Sequence, residues 1–139
     1  MTIKRVFTAV LVCLAASACS SVTDPSKNVT ETFSGSVQPN SLGVPIHQFT
    51  ISSSGELTIT VTSIVPGSTF LGIEYGQITG SACGVQQQTA VSSANLGRVA
   101  ITAQLTNKGT YCVQAFDPTS LGLAGLVVGQ NYTLTVSHP

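Results

Sequence analysis

The sequence predicts an all-β protein: a single antiparallel β-sandwich of seven or eight strands, joined in jelly-roll or Greek-key fashion, behind an N-terminal signal segment. Three observations lead there. Apolar residues recur at every second position through successive short runs. Gly, Pro, Asn and Ser separate those runs. Beyond the signal segment no helical stripe and no strand–helix–strand rhythm interrupts them.

In chain order, VTETFSGSV (29–37) sets Val29, Glu31, Phe33, Gly35 and Val37 against Thr and Ser, and PNSLGVP ends it. IHQFTIS (46–52) places His47, Phe49 and Ile51 on one face. GELTITVTSIV (55–65) alternates most clearly, with Leu57, Ile59 and Val61 facing one way and Glu56, Thr58, Thr60 and Thr62 the other. That is the pattern of a half-buried antiparallel strand. FLGIEYGQI (70–78) follows, with Leu71, Ile73 and Tyr75 opposite Gly72, Glu74 and Gly76. The stretch from Thr79 to Leu96 is irregular and reads as a loop with a short edge strand. GRVAITAQL (97–105) resumes the alternation, GTYCVQAF (109–116) turns Tyr111, Val113 and Ala115 inward, and NYTLTVSH (131–138) does so with Tyr132, Leu134 and Val136.

The first residues have a different character. Lys4 and Arg5 precede an apolar run from Val6 to Ala16 and then small residues, the layout of a secretory signal peptide over 1–18. The run is shorter than the ~20 residues a permanent membrane helix needs. Cleavage after Ala18 leaves Cys19, then a polar tether over 19–28 and the sandwich over 29–139. LAASAC resembles a bacterial lipobox, which implies lipidation of Cys19, and Ser20 after it implies an outer-membrane address. An ordinary signal cut that leaves Cys19 free is the alternative.

From Cys19 onward three cations (Lys27, Arg98, Lys108) stand against five anions (Asp24, Glu31, Glu56, Glu74, Asp117), a net charge of −2. No basic stripe is present to neutralise phosphates, which argues against nucleic acid as a partner. Charged residues make up 7% of the chain, far below the ~25% of ordinary soluble domains. Hydrophobic residues at 42% still supply a core, so solubility rests on Thr and Ser hydroxyls. Cys13 leaves with the signal, and Cys83 and Cys112 are the two cysteines of an exported domain, read as one disulfide. Closing a loop of about 30 residues contributes ~3–4 kcal/mol on the chain-entropy model. Cys112 belongs to the face opposite Tyr111, Val113 and Ala115.

FSGSV (33–37), HQFTISSSGELTITVT (47–62), GTYCVQAFD (109–117) and YTLTV (132–136) together resemble the bacterial pre-peptidase C-terminal (PPC) domain family. The likeness spans about 29–139. It implies a small secreted jelly-roll-like sandwich that serves as an accessory module beside a protease or another enzyme. Some such modules bind calcium, which takes six to eight oxygen ligands.

The residues themselves predict no catalytic group, no metal site and no cofactor. His47 shares its face with Phe49 and Ile51 and reads as a hydrogen-bonded rim residue; His138, beside the C-terminus, reads as frayed. Asp117 before Pro118 reads as a turn residue, Glu56 and Glu74 as solvated strand faces. With no Trp, and with Tyr75, Tyr111 and Tyr132 in phase with the core, no aromatic platform for sugars is evident. The unusual segment is DPTSLGLAGLVVGQ (117–130), where Leu121, Leu123, Leu126, Val127 and Val128 crowd a connection that should be polar. Such a loop either tucks under the sandwich or exposes an interaction patch.

The expected function is therefore a non-catalytic exported module, lipid-anchored at Cys19, that binds an envelope or extracellular protein or polymer, or its own copies. A small secreted enzyme or carbohydrate-binding module is the alternative, and a self-assembling surface protein a second.

Overall fold

A computed structural model describes residues 25–42, 45–67 and 70–139. The signal segment and Cys19 lie outside the described residues. Eight strands form: β1 (Val29–Val37), β2 (His47–Ile51), β3 (Gly55–Val65), β4 (Leu71–Thr79), β5 (Ala82–Val91), β6 (Val99–Leu105), β7 (Gly109–Phe116) and β8 (Gln130–His138). They make two four-stranded sheets, ordered β1-β8-β3-β6 and β2-β7-β4-β5, with every recorded pairing antiparallel. The pairs β1–β8, β2–β7, β3–β6 and β4–β5 nest like one long hairpin folded at β4–β5, and the added contacts β8–β3 and β7–β4 wrap it into a jelly roll.

The alternating residues meet between the sheets. Leu57, Ile59, Val61, Leu134 and Val136 from the first face Ile51, Leu71, Ile73, Val113 and Ala115 from the second, all buried. A bulge between Val61 and Ser63 shifts the phase of β3, so that Ile64 also turns inward. Burying a Val, Leu or Ile contributes ~1.5–3 kcal/mol, so this apolar layer supplies most of the driving force.

The seam between the edge strands β1 and β2 is closed by rings. Phe33 stacks on His47 with centroids 5.0 Å apart, and the His47 Nε2 is hydrogen-bonded to the Tyr132 hydroxyl at 2.8 Å. Burial lowers the His47 pKa and raises that of Tyr132 to about 12, so the pair meets as neutral groups. Gly35 leaves room for it, because a methyl there would stand 2.6 Å from the Tyr132 hydroxyl oxygen. His138, far from fraying, is buried against Phe49 and reaches Glu31 at 2.9 Å. Pairing of Val29 with His138 holds the terminal strand in register, and that overrides the usual looseness of chain ends.

The main departure from the sequence expectation is β5. Its ten residues form a full strand on β4, where a loop with a short strand was expected. The alternation is hidden because GVQQQ (84–88) is exposed, and an extra residue, Gln86, breaks the register opposite Tyr75 and Gly76. The bulge lets the start of β5 curl over the outer face of its own sheet. There Cys83 joins Cys112 of β7 across the intervening strand β4, with Cα atoms 5.8 Å apart. In a flat sheet, next-nearest strands are ~9.5 Å apart. The staple is therefore present, on the face opposite Tyr111, Val113 and Ala115, but it fastens a strand and not a loop.

The curl requires Gly76. A methyl on this residue would run into the backbone carbonyl of Gly84, which lies directly over it. Gly76→Ala is expected to cost at least ~2 kcal/mol in chemical denaturation. Gly67→Ala, whose methyl would find Ser93 at 3.7 Å, should be close to neutral under the same conditions. Equal stability of the two variants would show that β5 does not cross tightly over β4.

Candidate functional site

The jelly roll has two unlike ends. At one, β2–β3, β4–β5 and β6–β7 are joined through 52–54, 80–81 and 106–108, short polar turns rich in Ser, Gly and Asn. Val29 and His138 also lie there. At the other end the connections run over 38–46, 66–70, 92–98 and 117–129. Five of the exposed large apolar residues sit on or beside these longer segments: Leu42, Val65, Val99, Val127 and Val128. The loop end is the candidate site.

Asp117 organises it. This carboxylate is 1% exposed and accepts three backbone N–H groups: Asn40 to Oδ2 at 2.8 Å, Leu126 to Oδ2 at 3.1 Å and Thr119 to Oδ1 at 3.1 Å. Its own N–H donates to the Ser41 carbonyl at 3.0 Å. One side chain thus ties the β1–β2 connection to both halves of the β7–β8 connection. Burial by itself would raise the Asp117 pKa, but the N–H groups of Asn40, Thr119 and Leu126, with the Thr119 hydroxyl, outweigh it and hold the carboxyl below its ordinary value of 3.8. The turn reading captured only part of this role. Asp117 caps the 3-10 turn Pro118–Leu121, and the order Asp then Pro was the available signal, since Asp at a cap and Pro at the first turn position are both favoured. The long-range bonds to Asn40 and Leu126 have no local signature.

Local backbone fits the anchor. Asn40 takes φ +62°, and Gly122 takes φ +74° where the 3-10 turn ends. A methyl on Gly125 would stand 2.7 Å from the Thr119 methyl and 3.1 Å from Asp117 Oδ1. The apolar residues of 117–130 divide accordingly. Leu126 plugs into the core, Leu121 and Leu123 are half-buried, and Val127 and Val128 face solvent at 92% and 51% exposure. The segment neither tucks wholly under the sandwich nor lies wholly on its surface.

The outer face of the second sheet holds the remaining polar chemistry. Glu74 is buried there, accepting a hydrogen bond from the Gln114 side-chain amide on the neighbouring strand, and is not the solvated residue expected. Phe116 lies over Gly72, where a methyl would stand 2.6 Å from its ring. With the disulfide beside them, these residues make a second packed layer in place of an open face. Among the described residues, no group of three His, Cys, Asp or Glu side chains converges as a metal centre would require. Tyr75, Tyr111 and Tyr132 are all buried, and the Tyr111 hydroxyl donates to the Asn107 carbonyl at 2.9 Å.

No protein family matches the chain, and no curated protein matches it.

The depressed Asp117 pKa sets the direction of its pH dependence. Its folded value lies below the unfolded one, so its contribution is complete above ~3.9 and is lost as pH falls through the folded value. Asp117→Asn is expected to lower stability at pH 7 by about 2–3 kcal/mol, since hydrogen bonds to a charged group are the stronger kind. The variant should also show a shallower loss of stability between about pH 4 and pH 2 in urea titrations. An acid limb identical to wild type would exclude Asp117 as its source.

Proposed function

We propose that the protein is an exported, non-catalytic binding module, held at the outer membrane through a lipidated Cys19, whose loop end engages an apolar surface on an envelope or extracellular protein. The observation that carries this reading is the polarity of the domain. The chain enters β1 at the short-turn end, beside His138, while Leu42, Val127 and Val128 crown the opposite end. A tether at Cys19 therefore presents the apolar loops away from the membrane.

The state of the reactive side chains supports a non-catalytic role. His47 and His138 are engaged with Tyr132 and Glu31, Asp117 with backbone amides, and Glu74 with Gln114. The tyrosines are turned into the core, which favours a protein partner over a carbohydrate. A connection anchored by a buried carboxylate also loses little freedom on binding, and that cost otherwise takes ~0.5–1.5 kcal/mol per immobilised side chain.

Leu42→Asp combined with Val127→Asp tests the loop end. Both positions are exposed, so the unfolding midpoint should stay within about 3 °C of wild type. The pair should abolish the crosslinks that a photoreactive residue at position 128 forms with envelope proteins in cells; unchanged crosslinks would refute this surface. Cys19→Ala should move the protein from the membrane pellet to the soluble fraction, and mass spectrometry should find acyl chains on Cys19 of the wild type. A wild-type protein that starts beyond Cys19, or carries it unmodified, would exclude the anchor.

A further inference from the structure

The two seams of the sandwich are finished differently. Between β1 and β2 the rings of Phe33, His47, Tyr132, Phe49 and His138 fill the gap. Between β5 and β6 no ring fills it, and a cleft of about 200 Å³ remains, bordered by the small side chains of Thr89, Val91, Val99 and Ala100 and by the polar Asn95 and Arg98. Each strand flanking this cleft is an edge: β5 pairs with β4 alone and β6 with β3 alone. Both outer edges therefore offer backbone N–H and C=O groups to the same opening. Edges of this kind are normally guarded by Lys, Pro or an inward charge. Neither Ala82–Val91 nor Val99–Leu105 contains a charged residue or a proline.

A cation marks one end of the cleft. Arg98 is held by a fixed turn: Asn95 N–H donates to Ser92 O at 2.9 Å, Arg98 N–H to Asn95 O at 3.2 Å, and Gly97 N–H to Val61 O at 2.9 Å. Its guanidinium is exposed and has no carboxylate or hydrogen-bond partner among the described residues. The other described cations, Lys27 and Lys108, belong to the short-turn end. The one described carboxylate rooted in the long connections, Asp117, is buried and committed to backbone amides. Arg98 is thus an uncompensated charge at a cleft of mixed polarity, with Val91, Val99 and Ala100 as its apolar part, between two open strand edges.

We propose that the β5–β6 seam accepts an extended peptide that pairs antiparallel with the free edge of β6, sets small apolar side chains into the cleft, and lays a terminal carboxylate on Arg98. The direction follows from the fold. β6 starts beside Arg98 and runs toward the short turns, so a chain ending at Arg98 must run against it, which is the stronger pairing. The size of the ligand follows from the volume. Ligand pockets for drug-sized molecules take ~300–1,000 Å³, so this cleft suits one or two side chains and not a run of sugar rings. Backbone pairing would then supply affinity, and the alternate side chains with the carboxylate would supply selectivity. This site is separate from the loop-end surface proposed above and does not depend on it.

The probe is the N-terminally fluorescein-labelled peptide Thr-Val-Thr-Val with a free C-terminus, measured by anisotropy against the disulfide-bonded protein. Saturable binding with a Kd below about 1 mM is expected. C-terminal amidation of the peptide, or Arg98→Ala in the protein, should each weaken it about tenfold, as loss of a charge-assisted bidentate contact does. Val99→Glu, at an exposed position beside Arg98, should remove it while the unfolding midpoint is kept. Two further peptides, N-methylated at odd or at even residues, separate strand addition from simple charge attraction: one must lose binding and the other retain part of it. Leu42→Asp with Val127→Asp should leave the affinity unchanged. Absence of saturation to about 2 mM, or indifference to amidation and Arg98→Ala, overturns the proposal. Equal binding of both N-methylated peptides overturns the strand pairing, and displacement of the probe by a neutral oligosaccharide assigns the cleft to sugars instead.

Discussion

The close passage of β5 over Gly76 is the constraint on which the second sheet depends. Sheets twist smoothly by ~20–25° per strand, which alone would not bring the first and third strands of a set within disulfide reach. The bulge at Gln86 and the missing side chain at Gly76 allow the backbone of Gly84 to settle on the sheet's own outer face. The Cys83–Cys112 bond then closes across β4. Because β4–β5 is the turn of the long folded hairpin, this corner lies at the centre of the topology, with the other three nested pairs stacked outward from it. Covalent closure here restricts the unfolded chain across the segment that supplies β5, β6 and the first half of β7.

A consequence is that the second sheet is packed on both faces. β4 from Leu71 to Gly76 and all of Tyr111–Phe116 are buried, a pattern unusual in an antiparallel sheet, where one face normally meets water. Burial on the outer side would strand polar groups, and the Glu74–Gln114 pair answers most of that demand; the Gln114 carbonyl oxygen remains without a partner. With so few charges in the chain, three of its acids, two of them buried, have become structural. Glu74 links β4 to β7, Glu31 links β1 to the terminal strand, and Asp117 links two connections. A domain that commits its acids and histidines in this way has its open chemistry confined to the places the packing leaves bare, the long connections and the β5–β6 seam.

Much of the fold was legible because burial on one face imposes period two on a strand. The runs 29–37, 55–65 and 109–116 coincide with β1, β3 and β7, and the cysteines pair as expected. β5 was not legible, since an exposed edge with an inserted residue has no apolar stripe to mark it. The same reasoning explains the miss at Glu74. Alternation assigns it to the outer face correctly, but sequence cannot say that the outer face is itself covered. His138 was missed, and Asp117 only half read as a turn residue, for another reason: their partners Glu31, Asn40 and Leu126 are fixed by strand register and by loop docking, at separations that no local pattern encodes. At the candidate site the apolar character of 117–130 was plain, while the division between the core residue Leu126 and the exposed Val127 depends on where Asp117 pins the chain.

The unequal ends give the molecule a direction. A jelly roll places alternate connections at opposite ends, so lengthening one set leaves the other, and the core between them, undisturbed. Here the short turns share their end with both termini of the sandwich, and the longer connections gather at the far end. Long connections are normally costly to hold in one shape, and exposing valine on a mobile one would invite nonspecific association. The Asp117 carboxylate limits both problems, since three hydrogen bonds from backbone amides and the buried Leu126 hold the backbone just ahead of the exposed Leu42 and Val127. The apolar crest is therefore presented in one conformation. On the binding role proposed above, such holding lowers the freedom lost when a partner docks.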